Sequence, residues 1–242
     1  MNTLPMIDRE TLINYQSKRV YLKKLFSVVA PKYDLITRLM SLNRDYWWKQ
    51  YLVSRIIPHR KKATLLDIAS GTGDIVHYFR KKAPEATIIS SDMSLEMLRN
   101  GHQRNRNWST VCNDMCQLPI NDNCIDFVTG SYALRNAPSI TVCLSEIHRV
   151  LKPGGKAFLL DFSLYKNQLA QSFELFLLSI WGSFLGILFH RNPAIYCYIA
   201  KSLKSYPDSE RFKKLLIQHG FNINKLKYFF FGFIAVFEIT KT

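Results

Sequence analysis

Between Thr64 and Ser163 short apolar runs alternate with longer amphipathic stretches, and the first run feeds directly into glycines: Leu65-Leu66-Asp67-Ile68-Ala69-Ser70-Gly71-Thr72-Gly73-Asp74. A hydrophobic segment that enters a small-residue turn and then a helix opens a βαβ unit, and its repetition predicts an α/β fold with a parallel sheet and crossover helices. Strands are predicted at 64–69, 87–92, 109–112, 125–130 and 156–161. A helix is predicted from Ser139 to about Leu151, closed by the proline stop and permissive glycines of Lys152-Pro153-Gly154-Gly155. Another, from about Asp208 to His219, ends at Gly220 before two apolar strand candidates, 221–229 and 231–240, while residues 10–57 read as helical. No internal repeat or low-complexity tract is visible.

With 242 residues, 48% of them hydrophobic, the protein can bury one substantial core, so a single domain with elaborations is expected. Its parts are an N-terminal helical segment (1–62), a cofactor-binding core (63–163), a helical lid insertion (164–206) and a final helix with strands (207–242). The first nine residues hold no apolar run behind a basic start, which predicts a cytoplasmic protein without a signal peptide. Five cysteines without a Cys-x-x-Cys pair argue against a disulfide framework or a ribbon-type zinc site and read as reduced thiols in or near the core. Net charge is +15, but residues 63–163 carry ten charges of each sign, so the excess lies in the flanks. A neutral core with basic appendages suits contact with an anionic surface, nucleic acid or the inner leaflet of a membrane; solubility alone is the plainer account.

The glycine turn lets a backbone approach a nucleoside closely. A dinucleotide fingerprint would place a third glycine at 76, where this sequence has Val76, and no lysine-bearing phosphate loop is present. The missing phosphate devices point to a phosphate-free nucleoside, and Asp67 can answer the positive amino end of a sulfonium cofactor. Asp92, about twenty residues after the glycines, can accept from both ribose hydroxyls; it could equally cap the helix that Ser94 and Glu96 begin. After the third strand, Asp114 could accept the adenine amine while the Met115 N–H donates to the ring, or be a solvated loop acid. Ser131 ends the fourth strand, where ligand-facing groups gather.

Together with Leu118–Asn123 and Arg149–Gly155, these motifs resemble those of class I methyltransferases dependent on S-adenosylmethionine. Three further stretches narrow the resemblance: Ser27–Asp34, Leu134-Arg135-Asn136, and Tyr198–Leu203 with Tyr206-Pro207-Asp208. They are similar to the demethylmenaquinone and polyprenyl-methoxybenzoquinol C-methyltransferase family, from about Val20 onward. The resemblance implies a Rossmann-like, seven-stranded, mostly parallel sheet, with Thr72, Asp92, Asp114, Met115 and Ser131 at the cofactor beside Gly71 and Gly73. Ser70 stands where that family usually has glycine, and Asp114-Met115 replaces a more usual Asn- or Asp-Ala pair.

The acceptor side follows the same logic. Amine-directed methyltransferases commonly carry an Asn- or Asp-Pro-Pro-aromatic motif after the fourth strand, whereas this sequence reads Ser131-Tyr132-Ala133-Leu134-Arg135-Asn136. An arginine and an amide suit stabilisation of a developing phenolate while an adjacent ring carbon attacks a methyl group. What the resemblance implies is C-methylation of a prenylated quinol, with the naphthoquinol favoured over the benzoquinol. Arg135 lowers the acceptor's effective pKa, Asn136 orients it, and Tyr33 and Asp34 close the pocket; a surface salt bridge is the alternative for Arg135. His77 and His148 lie at amphipathic helical spacing and read as packing or surface residues. The uncharged run Leu175–Phe189 has fifteen residues, short of the ~20 a spanning helix needs, and reads as a lid helix whose apolar face lines an isoprenoid channel or dips into the membrane interface, with plain core packing the competing account. Other small-molecule or RNA methyltransferases are the rival readings, the latter resting on net charge and Lys225–Phe231. That stretch reads more readily as a strand with buried aromatics than as a nucleic-acid surface.

Overall fold

The computed structural model describes Leu4 and residues 7–58, 62–104, 108–164 and 167–242. The first residues of the expected N-terminal segment, its end at 59–61 and the start of the lid insertion at 165–166 lie outside the described residues. Four helices come first: α1 (Arg9–Ile13), α2 (Tyr15–Val29), α3 (Tyr33–Met40) and α4 (Asp45–Arg55). The alternating core follows as β1 (Thr64–Ile68), α5 (Asp74–Lys82), β2 (Thr87–Asp92), α6 (Leu95–Arg104), β3 (Ser109–Cys112), β4 (Ile125–Ser131), α7 (Ile140–Val150) and β5 (Leu151–Phe162). The sequence ends with α8 (Gln168–His190), α9 (Ala194–Leu203), α10 (Ser209–Gln218), β6 (Phe221–Phe229) and β7 (Ile234–Lys241).

The seven strands form one sheet in the order β3-β2-β1-β4-β5-β7-β6. Pairings are parallel from β3 to β5 and antiparallel across β5–β7 and β7–β6. Strand periodicity divides the apolar residues between the two faces. Leu66, Val128 and Leu159 join one buried cluster with Leu144, Ile147 and Leu216. Their neighbours Leu65, Phe127 and Phe158 pack on the other face with Val76, Phe79 and Leu52. Because both faces are covered, these strands are continuous apolar runs. Ser139 and Asp208 cap their helices through side-chain oxygens that accept from Val142 N and Arg211 N.

Two local expectations change. Lys152–Gly155 is part of β5, not a helix stop before it: Leu151 pairs with Ile125, a register shift follows, and Lys156 pairs with Phe127. Within 225–231 the strand ends at Phe229, and Phe230 and Phe231 are exposed in the hairpin tip rather than buried. The cysteines are free thiols, with Cys116, Cys143 and Cys197 buried and Cys112 exposed.

A third apolar cluster joins the N-terminal helices to the lid: Leu22, Leu25, Val29 and Ile36 meet Leu185, Ile195 and Tyr198. The α8 helix has 23 residues, about 34 Å at 1.5 Å per residue, and Gln171–His190 is apolar enough to cross a membrane by length and composition, with mean hydropathy 1.8. It nevertheless lies against α9 and buries Leu175 and Leu185. Two glycines permit that approach, since a Cβ on Gly182 would stand 2.9 Å from the Tyr196 carbonyl oxygen and one on Gly186 2.5 Å from that of Asn192.

Candidate active site

Strand order reverses between β1 and β4, and the turns leaving the carboxyl ends of β1 to β4 converge there, where open α/β sheets bind ligands. A cavity of about 560 Å3, mouth included, is lined by Gly71, Asp92, Asp114, Met115 and Ser131, with Leu22 and Phe26 of α2 across it. Five of the eight residues expected at the cofactor therefore share one cavity. Gly71 has φ +56°, and a Cβ there would meet nothing closer than the Tyr33 ring at 3.8 Å, so a side chain would occupy the cavity itself. Ser70, the departure from glycine, turns its hydroxyl away to Ser90 Oγ at 2.6 Å.

The α6 helix is capped by Ser94, whose Oγ accepts from Met97 N at 3.3 Å, so Asp92 is a brace between two turns rather than the cap. Its Oδ1 accepts from Ser94 N and its Oδ2 from Gly71 N, each at 2.8 Å. Held between the two turns, the carboxylate retains lone pairs for hydroxyl donors, while burial pushes its pKa up. Asp67 lies beneath the turn, buried, with Oδ1 accepting from Thr129 Oγ1 at 2.7 Å and Oδ2 unpartnered. Burial raises its pKa to about 7, against the opposing Thr129 hydrogen bond. Ser131 Oγ is likewise buried without a partner. An open glycine cradle, the Asp92 and Asp114 carboxylates, the unpaired Ser131 oxygen and, among the described residues, no basic side chain in the lining fit a cationic, phosphate-free nucleoside, with the unpaired Asp67 oxygen outside the lining.

The remaining expected cofactor residues sit elsewhere. Gly73, at φ +80°, caps α5 beside Trp108, and Thr72 donates its hydroxyl to Asp34 Oδ1 at 2.5 Å. Thr72 and Asp34 thus face one another away from both principal cavities, so Asp34 braces the glycine turn from α3. Asp114 is more engaged than an adenine acceptor would be. Its Oδ2 takes Tyr15 Oη and Arg19 Nε, each at 3.1 Å, and its Oδ1 takes Cys116 N at 2.9 Å.

A second cavity of about 980 Å3, open to the outside, adjoins the first and is lined largely by aromatic and aliphatic side chains. Tyr33, Phe26, Tyr132 and Asn136 line both. Arg135 and Asn136 sit in a short 3₁₀ helix, Leu134–Asn136, directly beyond β4. Arg135 is buried, not in a surface salt bridge. Its guanidinium lies 5.3 Å from the ring centroids of both Phe162 and Tyr198, Nη1 donates to Ser202 Oγ at 2.8 Å, and Nε has no partner. Asn136 is fixed at both ends of its amide: Nδ2 donates to the Tyr132 carbonyl oxygen at 2.9 Å and Oδ1 accepts from Tyr198 Oη at 2.7 Å. Asp161, at the end of β5, holds the 3₁₀ turn by accepting from Arg135 N at 3.1 Å.

Several residues here were not foreseen. Tyr132 separates the cavities at φ +56°, a conformation that sequence does not announce for tyrosine. Lys49 is buried between Asp74 at 2.9 Å and Asp45 at 3.3 Å; burial opposes its charge, but the two carboxylates outweigh that and push its pKa up. Lys18 of α2 donates to the Ala137 carbonyl oxygen at 2.6 Å, and burial, with Arg135 nearby, lowers its pKa to about 8. Tyr198 lay in a quoted motif, and its packing under Arg135 could have been sought there. His77 and His148 lie within α5 and α7 outside both cavities.

Comparison with known proteins agrees with this geometry. The model of the ubiE/COQ5 methyltransferase family matches residues 14–241. The Dinoroseobacter shibae protein named ubiquinone/menaquinone biosynthesis C-methyltransferase UbiE is 33% identical over 95% of this sequence and 96% of its own. Its Rickettsia typhi namesake is 31% identical over the same shares. Among solved structures, one from the complex of the Haloferax volcanii Trm112 methyltransferase activator with a methyltransferase gives a TM-score of 0.65 at 14% identity, covering 89% of this protein and 96% of that one. Haemonchus contortus phosphoethanolamine N-methyltransferase 2, solved with S-adenosyl-L-methionine, gives 0.57 at 18% identity over 75% of this protein and 38% of its own length. The shared fold is the Rossmann-like fold of class I methyltransferases. With a family model spanning nearly all of it and relatives above 30% identity over most of both lengths, this protein belongs to the ubiE/COQ5 methyltransferase family.

Proposed function

We propose that this protein methylates a ring carbon of a prenylated quinol, using S-adenosylmethionine as the donor, in respiratory quinone synthesis. The favoured conversion is demethylmenaquinol to menaquinol; the relatives are named for both ubiquinone and menaquinone synthesis, which supports the quinone class. The observation that carries the reading is Arg135: a buried cation with an unpaired N–H at an apolar cavity that shares a wall with the cofactor-side cavity.

S-adenosylmethionine, when bound, supplies an electrophilic methyl on a sulfonium whose sulfur leaves with the bond's electron pair. Gly71 provides room for it, Asp92 accepts from its ribose hydroxyls, and Asp67 answers its amino group. Asp114, Met115 and Ser131 complete that side, with Thr72 and Gly73 shaping the turn. On the acceptor side, Arg135 stabilises the oxyanion left when a ring hydroxyl loses its proton, a role that a fixed charge in a water-poor site performs well. Density pushed onto the neighbouring ring carbon makes it the nucleophile; after the methyl arrives, that carbon loses its proton and the ring regains aromaticity. Asn136, clamped between Tyr132 and Tyr198, orients the acceptor, and Tyr33 closes the junction, with alignment the main contribution of these residues. Asp34 acts through Thr72. The placement is cytoplasmic, with peripheral contact at the inner face of the membrane.

Incubation with methyl-labelled donor and either reduced demethylmenaquinone or the demethylated benzoquinol, followed by mass analysis of the lipid extract, tests the reading. Label on the naphthoquinol ring is expected; label on neither quinol would refute it, and preference for the benzoquinol would move the assignment within the class.

A further inference from the structure

Of three large apolar side chains exposed at left-handed backbone positions, Leu42, Phe230 and Phe231, Leu42 and Phe231 are the most exposed. Leu42, between α3 and α4, has φ +52° and is 66% exposed; Phe231, at the tip of the β6–β7 hairpin, has φ +55° and is 91% exposed. A left-handed backbone crowds any Cβ, so such turns favour glycine or asparagine. The next residues in each turn, Asn43 at φ +62° and Gly232 at φ +100°, follow that preference. Neither Leu42 nor Phe231 does, and exposure forgoes the hydrophobic gain that could offset the strain.

Both flank the acceptor cavity. Met40 and Ser41 line it immediately before Leu42, and Phe230 and Phe233 line it on either side of Phe231. The α8 helix borders the same opening through Leu178 on its inner side, and its outer face reaches the α3 end through Trp181, which stacks on Phe184 at 5.6 Å and donates its indole N–H to the Leu39 carbonyl oxygen at 3.4 Å. Along that face Phe173, Phe176, Ile180, Phe184 and Ile187 are exposed at helical spacing. Exposed cations lie next to these segments: Lys32, whose Nζ donates to the Phe189 carbonyl oxygen, Arg44 two residues after Leu42, and Arg191 directly after α8, in a protein of net charge +15. Apolar side chains bordered by cations complement the interface of an anionic bilayer.

We infer that Leu42, Phe231 and the outer face of α8 insert together into such a bilayer, so that the acceptor cavity opens against lipid. A tailed acceptor then keeps its apolar tail in the membrane while its ring enters the cavity. The inference rests on the prenylated-quinol reading for its cargo, but the surface makes a separate physical claim. A second copy of the protein is the competing occupant.

The test uses the full-length protein with vesicles of phosphatidylcholine containing phosphatidylglycerol, comparing wild type with the double variant Leu42→Asn, Phe231→Asn. Asparagine suits both turns, so the fold is retained and loss of binding cannot be assigned to misfolding. Wild type is expected to co-sediment with the vesicles, and the double variant to bind on the order of tenfold more weakly or less. Methyl transfer to a tail-less quinol in free solution should be equal for the two. Equal vesicle binding by variant and wild type, or no binding by wild type, overturns the inference. So does a lipid-free dimer that the double variant converts to monomers in analytical ultracentrifugation, because the surface is then a self-interface. If vesicle binding behaves as expected while wild type methylates no quinol, the acceptor reading fails and the surface stands.

Discussion

The cofactor-side cavity draws Gly71, Asp92, Asp114, Met115 and Ser131 from the ends of successive strands of one sheet, or from the turns just beyond them. The acceptor-side cavity draws Leu25, Trp48, Arg135, Phe162, Tyr198 and Phe230 from nearly the whole length of the sequence. The first takes its polar residues from hydrogen-bonded strand ends and only its far wall, Leu22, Phe26 and Tyr33, from the N-terminal helices. The second exists only when the N-terminal helices, the lid and the terminal hairpin have all packed. Binding of the donor should therefore survive damage that abolishes methyl transfer, and the junction residues should be where the two properties become linked.

The largest separation is expected from Arg135→Ala. Loss of a fixed charge opposite a developing oxyanion should lower kcat by about 10²–10³, with donor Kd, read by calorimetry, near that of wild type. A parallel loss of donor affinity would break the comparison. Lys49→Met tests the opposite point, because Lys49 of α4 pairs with Asp74 at the start of the glycine-turn helix α5. Removing it leaves Asp45 and Asp74 facing each other, costing about 3 kcal/mol, or roughly 6–12 °C in Tm for a protein of this size; thermal unfolding measures it.

The pH dependence sharpens the cofactor half. Asp67 has its pKa raised by burial from 3.8 to about 7, so the folded protein holds a proton that the unfolded one has lost. The associated stability is full below pH ~4 and declines as pH rises through ~7. Donor affinity runs the other way, since the ionised form answers a cation, and should increase by about tenfold from pH 6 to 8. Asp67→Asn should flatten that slope in calorimetry; a wild-type slope persisting in the variant would remove Asp67 from donor binding. The smallest effect is expected from Tyr198→Phe, which deletes one hydrogen bond to Asn136. About 1 kcal/mol, seen as a several-fold loss in kcat/KM for the acceptor with donor Kd unchanged, would place Asn136 as an orienting group.

The five core strands and the capped helices at Ser139 and Asp208 were legible because their determinants are local: apolar runs of strand length, glycine turns and side-chain caps. Asp92 was legible for the same reason, at the end of a strand and a fixed distance from the glycines. Asp34 was not, because its partnership with Thr72 spans 38 residues and depends on where α3 packs. Lys152–Gly155 misled because proline and glycine mark a break without distinguishing a helix stop from an irregular strand entry. The aromatics of 228–231 misled for a different reason: a composition suited to burial says nothing of a turn that carries Phe231 out of the sheet.

Residue order alone set the periodicity that sorts Leu65 from Leu66 and Phe127 from Val128, and with it the sheet whose strand ends carry the cofactor-side residues. Packing of distant segments was needed to put Arg135 between Phe162 and Tyr198, to join two carboxylates through Lys49, and to bring Leu42 and Phe231 to one opening. The reason is physical. Strand and turn preferences act over a few residues and are written in the local pattern, whereas desolvation of a charge and exposure of an apolar side chain depend on which distant segments exclude water around it.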